Sequence, residues 1–255
     1  MAREPKNTAR RWNWRFVLGA VAFSLLTASA ALGALRVRRF AITDPQFQLS
    51  RDNDAALRLE GLRYASRAQV LRVFAPDFDR SIFSIPLGER RRRLLAMDWV
   101  EDASISRIWP DCLLVRIRER TPVAFVFRRA GVLLIDRYGV LLDPPAQAQF
   151  SFPVLSGIGE DESEFQRRER VRAFLRVQRD MGYLAKDISE INTADLDDIR
   201  VVAQVDHRAI ELMLGDENFG RRYQNFLSHY PEIEKRSPEV KLFDLRLDDR
   251  ITAKE

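Results

Sequence analysis

Residues 99–124 read WVEDASISRIWPDCLLVRIRERTPVA, and this stretch decides the fold. Leu113, Val115 and Ile117 alternate with Arg116 and Arg118, the period-2 pattern of a strand with one buried face. Pro110-Asp111 supplies turn chemistry in front of it, so Trp99–Trp109 and Cys112–Glu119 predict a hairpin. Upstream, Ala56 to Glu60 is a short strand pattern stopped by Gly61, and Ser66 is placed to cap a helix with Val70, Leu71 and Phe74 inward and Pro76 at its end. Ile82 to Ile85 reads as a short extended piece. Leu87, Leu94, Leu95 and Met97 give a second amphipathic helix with Glu89 to Arg93 largely on its wet side. The order is β-α-α-β-β, over residues 55–121, and Pro122 marks a boundary.

Downstream, residues 122–251 form a second, strand-rich region. Val123 to Phe127 is followed by a hairpin, Val132 to Asp136 and Val140 to Asp143, turning at Tyr138-Gly139. Ser163 with Gln166 makes a capping box for a helix carrying Val171, Phe174, Leu175 and Met181, with Gly182 at its C-terminal end. Strands resume at 188–191, 199–205 and 209–214. A helix with Phe219, Tyr223, Phe226, Leu227 and Tyr230 at helical spacing follows, expected to kink or end near Pro231. Val240 to Leu247 reads as the final strand, leaving 252–255 as a tail. The fold class is α+β.

At the other end, Phe16 to Leu35 reads FVLGAVAFSLLTASAALGAL without a charge. Twenty helical residues span about 30 Å, the thickness of a bilayer's hydrocarbon layer. Arg3, Lys6, Arg10, Arg11 and Arg15 precede it and Arg36, Arg38 and Arg39 follow, so the bias places residues 1–15 in the cytoplasm and the body across the membrane. A cleaved signal, with Ala28-Ser29-Ala30 as its small-residue site, and a buried core helix are the alternatives. Residues 36–54, Arg-rich and then polar, read as a tether.

Chemistry is sparse. The 255 residues carry 46% hydrophobic and 31% charged side chains, enough for real cores, with one cysteine and two histidines. All basic residues except Lys6, Lys186, Lys235, Lys241 and Lys254 are arginine, the planar fork suited to carboxylates and phosphates, and the net charge of +5 points to an acidic surface or partner. No nucleotide, zinc-protease, nucleophile-elbow or redox-cysteine motif is present, and Gly157-Ile158-Gly159 lacks a third glycine. His207 reads as a turn residue and His229 as a surface residue; the acidic runs at 160–162 and 195–198 lack calcium-loop spacing. Arg90 to Arg93 reads as a solvated face, with lipid headgroups or an acidic protein next and nucleic acid last, so neither a nucleic-acid partner nor a small-molecule substrate is expected. No enzyme activity, cofactor or metal is expected.

The same residues carry a resemblance. Leu94 to Ala103, Arg107-Ile108-Trp109-Pro110-Asp111-Cys112-Leu113 and Glu119 to Ala124 resemble the signature run of the bacterial cell-division family FtsQ/DivIB. Leu134 to Gly139, Pro153 to Gly157, Leu212 to Gly215 and Asp244-Leu245-Arg246 extend the likeness over about residues 10–251. Two positions depart from the family pattern: Asp98 stands for the usual Pro, and Leu247 for the usual aromatic.

The resemblance implies a single-span inner-membrane protein at the division septum, a POTRA domain (polypeptide-transport-associated) followed by a β domain, and no catalysis. It also implies a scaffold that holds FtsB/DivIC-like and FtsL-like division proteins, the former by strand addition near the Asp-Leu-Arg sequence. Carried over, the partner-binding set is Phe243, Leu245, Arg246, Leu247 and Asp249, with Arg246 pairing a partner carboxylate and Leu247 giving an apolar contact. The alternatives are that 240–247 is interior sheet with Arg246 in an ordinary surface ion pair, and, for the whole chain, an exported POTRA module of an outer-membrane translocation system.

Overall fold

A computed structural model describes residues 14–53, 55–146, 148–247 and 250–254. The apolar segment is a helix, α1 (Trp14–Thr43), of which Leu18–Thr43 is long and apolar enough to cross a membrane and entirely unburied. The helix continues eight residues past Leu35. The expected tether 36–54 is therefore helical in its first part, and its middle is folded: Phe47 and Leu49 are buried, and backbone bonds join Leu49 N to Arg80 O and Ile82 N to Phe47 O, both at 2.9 Å. Two apolar side chains in a polar stretch were enough to draw it into a core.

The elements that follow are β1 (Leu57–Glu60), α2 (Arg67–Phe74), α3 (Leu87–Leu95), β2 (Val100–Ile108) and β3 (Cys112–Glu119), in a three-stranded sheet of order β1-β3-β2 with β1 parallel to β3. The β-α-α-β-β order stands. By compactness the chain divides into two units: residues up to Glu60 with Leu71–Arg91 and Ser104–Arg116 form the first, and Gly61–Val70, Arg92–Ala103 and the chain from Ile117 form the second.

Two expectations in the first unit change. Ile82 to Ile85 is a turn rather than an extended piece, with Ile82 and Ile85 buried. Arg91 to Arg93 are exposed, as a wet face requires, but Arg90 is buried: its Nε and Nη2 donate to the two oxygens of fully buried Asp77 at 2.5 and 2.9 Å. A bidentate carboxylate on another element makes burial of the guanidinium tolerable. Trp109 is 70% exposed, whereas Trp99 is buried and donates its indole N–H to Asp143 O at 2.9 Å.

The second unit holds a nine-stranded sheet. Its strands are β4 (Pro122–Arg128), β5 (Gly131–Asp136), β6 (Leu141–Leu142), β7 (Val154–Ser156), β8 (Ile188–Asn192), β9 (Ile199–Val205), β10 (Arg208–Gly215), β11 (Leu242–Asp244) and β12 (Thr252–Lys254). The order across the sheet is β12-β11-β10-β9-β8-β7-β4-β5-β6. Helices α4 (Glu164–Met181) and α5 (Phe219–Arg236) pack on the sheet.

The Ser163–Gln166 capping box is formed in both directions, and Val171, Phe174, Val177 and Met181 of α4 meet Phe219, Tyr223, Phe226 and Tyr230 of α5 in one core with Ala124, Val126 and Ile135. Phe125 and Leu134, offset by one residue and so on the opposite sheet face, belong to a smaller cluster with Trp99, Tyr64, Phe150 and Phe152. Buried Asp136 accepts from Tyr138 N and Val140 N and from Arg120 Nη1 at 2.8 Å, which fixes the hairpin turn. In that turn Gly139 has φ +84°, and a Cβ there would lie 2.7 Å from Arg168 N, so only glycine fits.

Helix α5 does not end at Pro231 but runs on to Arg236. Tyr230 and Ile233 pack on the core on either side of the proline, and their burial outweighs the lost helical hydrogen bond.

Candidate partner-binding edge

The C-terminal strand is shorter than its apolar alternation suggested. Pairing covers only Leu242–Asp244 because the Asp244 carboxylate turns back on the chain, accepting from Arg246 N at 3.1 Å in competition with the ladder. Strand β11 is parallel to β10, in register Glu211↔Leu242 to Met213↔Asp244, with α5 as the crossover. Residues Thr252–Lys254, expected as tail, form a further antiparallel strand in register Leu242↔Lys254 and Asp244↔Thr252. Three residues, Thr-Ala-Lys, give no alternation of their own, so only the neighbouring strand reveals them. Among the described residues the sheet therefore ends at β12, and β11 is interior.

The hydrogen-bond parity of this edge follows from its neighbours. Glu211 N donates to Lys241 O at 2.7 Å and Leu245 N to Met213 O at 2.9 Å, so odd-numbered residues of this segment face β10. Leu242 and Asp244 then face β12, and they are opposite Lys254 and Thr252. Ala253 alternates with those two, which turns its N–H and C=O to the outer side of the sheet.

Among the sequence-predicted residues, the structure separates two groups. Phe243 and Leu245 are core side chains, 1% and 3% exposed, and Phe243 lies 5.2 Å from the ring of Phe226 on α5. The cover their alternation demands is supplied by the chain's own helix, so both side chains are packed in the core rather than presented at the surface. Arg246 and Leu247 are exposed, Leu247 by 56%. Asp249 lies outside the described residues.

Around Arg246 the charges alternate. Asp244 Oδ1 accepts from Arg246 Nε at 2.9 Å, and Oδ2 from Arg246 Nη2 at 2.6 Å with Lys254 Nζ 3.0 Å away. Arg246 Nη1 lies 3.6 Å from Asp198, which lies 3.7 Å from Arg200, itself 3.7 Å from Glu211. The Arg246 hydrogen bond, chiefly, holds the Asp244 carboxyl well below the usual carboxylate range, and Asp244 in turn raises Arg246. Asp198 Oδ1 is buried with no hydrogen-bond partner among the described residues.

Sequence reasoning missed Asp198, Arg200, Asp244 and Lys254. For Asp244 the Asp-x-Arg spacing was a usable signal; for the others the sheet order was needed. Beside the edge, a recess of about 350 Å³ between α5 and the chain's last segment is lined by Arg221, Arg222, Leu247, Arg250 and Ile251, among others. The arrangement offers backbone pairing, an exposed apolar knob and a basic rim to an extended acidic or mixed segment. His207 sits at φ +64° in the β9–β10 turn, and exposed His229 bonds Asn225 O through Nδ1 at 2.9 Å, both as read from the sequence.

Comparison with known proteins fits this architecture. Residues 54–120 match the family "POTRA domain, FtsQ-type", and residues 124–246 match "Cell division protein FtsQ/DivIB, C-terminal". Cell division protein FtsQ of Koribacter versatilis is 30% identical over 237 residues, covering 91% of this chain and 68% of that protein. The FtsQ of Zymomonas mobilis is 30% identical over 51% of this chain and 42% of its own length, and that of Caulobacter vibrioides 25% over 72% and 61%. With a β-α-α-β-β domain, a strand-rich domain behind it and an apolar N-terminal helix in place, the chain belongs to the FtsQ/DivIB family of cell-division proteins.

Proposed function

We propose that this chain is a single-pass, non-catalytic scaffold of the division machinery. Residues 16–35 cross the inner membrane with the N-terminus in the cytoplasm, and the two domains stand outside it at the septum. There they hold FtsB/DivIC-like and FtsL-like partners, the former as a strand added to β12. The observation that carries the reading is the sheet order: β12 is terminal, and Ala253 turns its backbone outward next to exposed Arg246 and Leu247. Family membership supports the division role, and the basic excess flanking the apolar helix supports the orientation. Phe243 and Leu245 contribute by holding the edge in place from within the core.

Depletion tests the role. Cells lacking the protein are expected to grow as filaments with unsegmented wall, rescued by the unaltered chain but not by Arg246→Glu, which also loses recovery of the FtsB-like protein in pull-downs. Normal septation after depletion overturns the division role. Full rescue by Arg246→Glu removes this residue from the interface.

A further inference from the structure

A second exposed apolar feature lies in the first unit, at the far end of α1. The ring of Phe40, on that helix, stands edge-on to Phe47 at 5.8 Å; Phe47 in turn meets Phe83 at 5.4 Å and Trp109 at 6.3 Å. Phe47 is buried, but Phe40, Phe83 and Trp109 are 53%, 43% and 70% exposed. Their placement is fixed by polar bonds. Ser81 Oγ donates to Ala41 O at 2.7 Å, tying the 81–85 turn to the helix end. Arg107 donates to Ile82 O at 2.6 Å and Ile85 O at 2.9 Å, tying the hairpin tip that carries Trp109 to the same turn.

Distance along the helix says where this cluster stands. The charge-free segment ends at Leu35, and Phe40 follows five residues later, about 7.5 Å at 1.5 Å per residue. Each headgroup layer, half the difference between a bilayer of about 40–45 Å and its core of about 30 Å, is about 5–7.5 Å thick. Phe40 is therefore at headgroup level, and Phe47, Phe83 and Trp109 lie within one or two ring contacts of it. Arg36, Arg38 and Arg39 occupy the intervening turns, where cations meet lipid phosphates. Exposed Trp and Phe beside basic residues are the composition of a membrane-interface belt.

We propose that the Trp109 hairpin tip and Phe83, with Phe40, form a second membrane contact. They would seat the first unit on the outer headgroup layer of the bilayer that α1 crosses, so that the body is held at a fixed height rather than swinging on a linker. The inference rests on the single-pass reading above. Its occupant is the lipid surface, since the cluster is continuous with the membrane helix.

The test uses the full chain in vesicles of phosphatidylethanolamine and phosphatidylglycerol, with bromine either near the headgroups or near the chain ends. Two chains are compared, Trp12→Phe/Trp14→Phe and the same with Trp109→Phe. Their difference emission isolates Trp109 and leaves buried Trp99 untouched. Trp109 is expected to emit to the blue of a water-exposed indole and to be quenched about twofold or more by the shallow bromine, with less effect from the deep one. Water-like, unquenched emission overturns the proposal, and so does blue-shifted but unquenched emission, which means a protein cover. A third chain, Leu26→Trp in the Trp12→Phe/Trp14→Phe/Trp109→Phe background, reports the anchor. Deep quenching there with no quenching of Trp109 sinks the membrane contact alone; no quenching at either position sinks the single-pass reading and the contact with it.

Discussion

Replacing Ala253 by proline separates strand addition from every other way of using the C-terminal edge. The backbone N–H of Ala253 points away from β11, so proline there removes no bond of the chain's own ladder, and edge strands accept it in that orientation. An added strand, however, loses one donor and leaves a carbonyl of its own unpaired in the new ladder. Leaving a buried acceptor unsatisfied costs about 1–3 kcal/mol, so the loss is roughly 5- to 150-fold in Kd. The neighbouring substitution Thr252→Pro attacks the inward-facing position and is expected to loosen β12 itself. Binding of the purified FtsB-like partner to the full chain in nanodiscs, with thermal unfolding as the control for folding, measures both. If Ala253→Pro keeps its melting temperature and binds within about twofold of the unaltered chain, strand addition on β12 is wrong.

Two further outcomes concern stability. Arg90→Met leaves the fully buried Asp77 carboxylate with Arg80, 3.6 Å away and half exposed, as its one cation among the described residues, and is expected to cost about 3–5 kcal/mol in urea unfolding of the detergent-solubilised chain; Asp77→Leu/Arg90→Met should recover most of it, and a single-variant loss below about 1 kcal/mol would refute the buried pair. The Tyr223 hydroxyl is buried without a hydrogen-bond partner among the described residues, and desolvation, then the charge of Asp187, pushes it up to about 12. With an unfolded value near 10, its contribution is complete below about pH 10 and is lost as pH rises toward 12, about 2–3 kcal/mol in all. Tyr223→Phe should therefore unfold less steeply with alkali; identical pH slopes for the two proteins would contradict this.

Local signals in the chain were strong wherever one segment carried its own pattern. The alternation of Leu113, Val115 and Ile117, the Ser163–Gln166 box, the apolar face of α5 and the charge-free run 16–35 each fixed an element, because period, cap and length are properties of contiguous residues. The assembled motifs at Trp109-Pro110-Asp111 and Asp244-Leu245-Arg246 were enough to indicate the family. At the candidate site the same motif singled out Arg246 and Leu247, which the fold leaves exposed.

What covers a side chain was not legible, since that depends on a neighbour distant in sequence. Alternation showed that Phe243 and Leu245 need a cover but not that α5 provides it. A run of four arginines does not disclose that Asp77, thirteen residues away, buries one of them. The strand Thr252–Lys254 exists because β11 offers it backbone partners, and its three residues could not announce it. The family and the elements with a contiguous pattern thus came from the sequence alone; the short strand Thr252–Lys254, the order of strands, the exposed edge and the burial of charge came only from tertiary structure, because non-local hydrogen bonds and desolvation are set by whatever packs opposite.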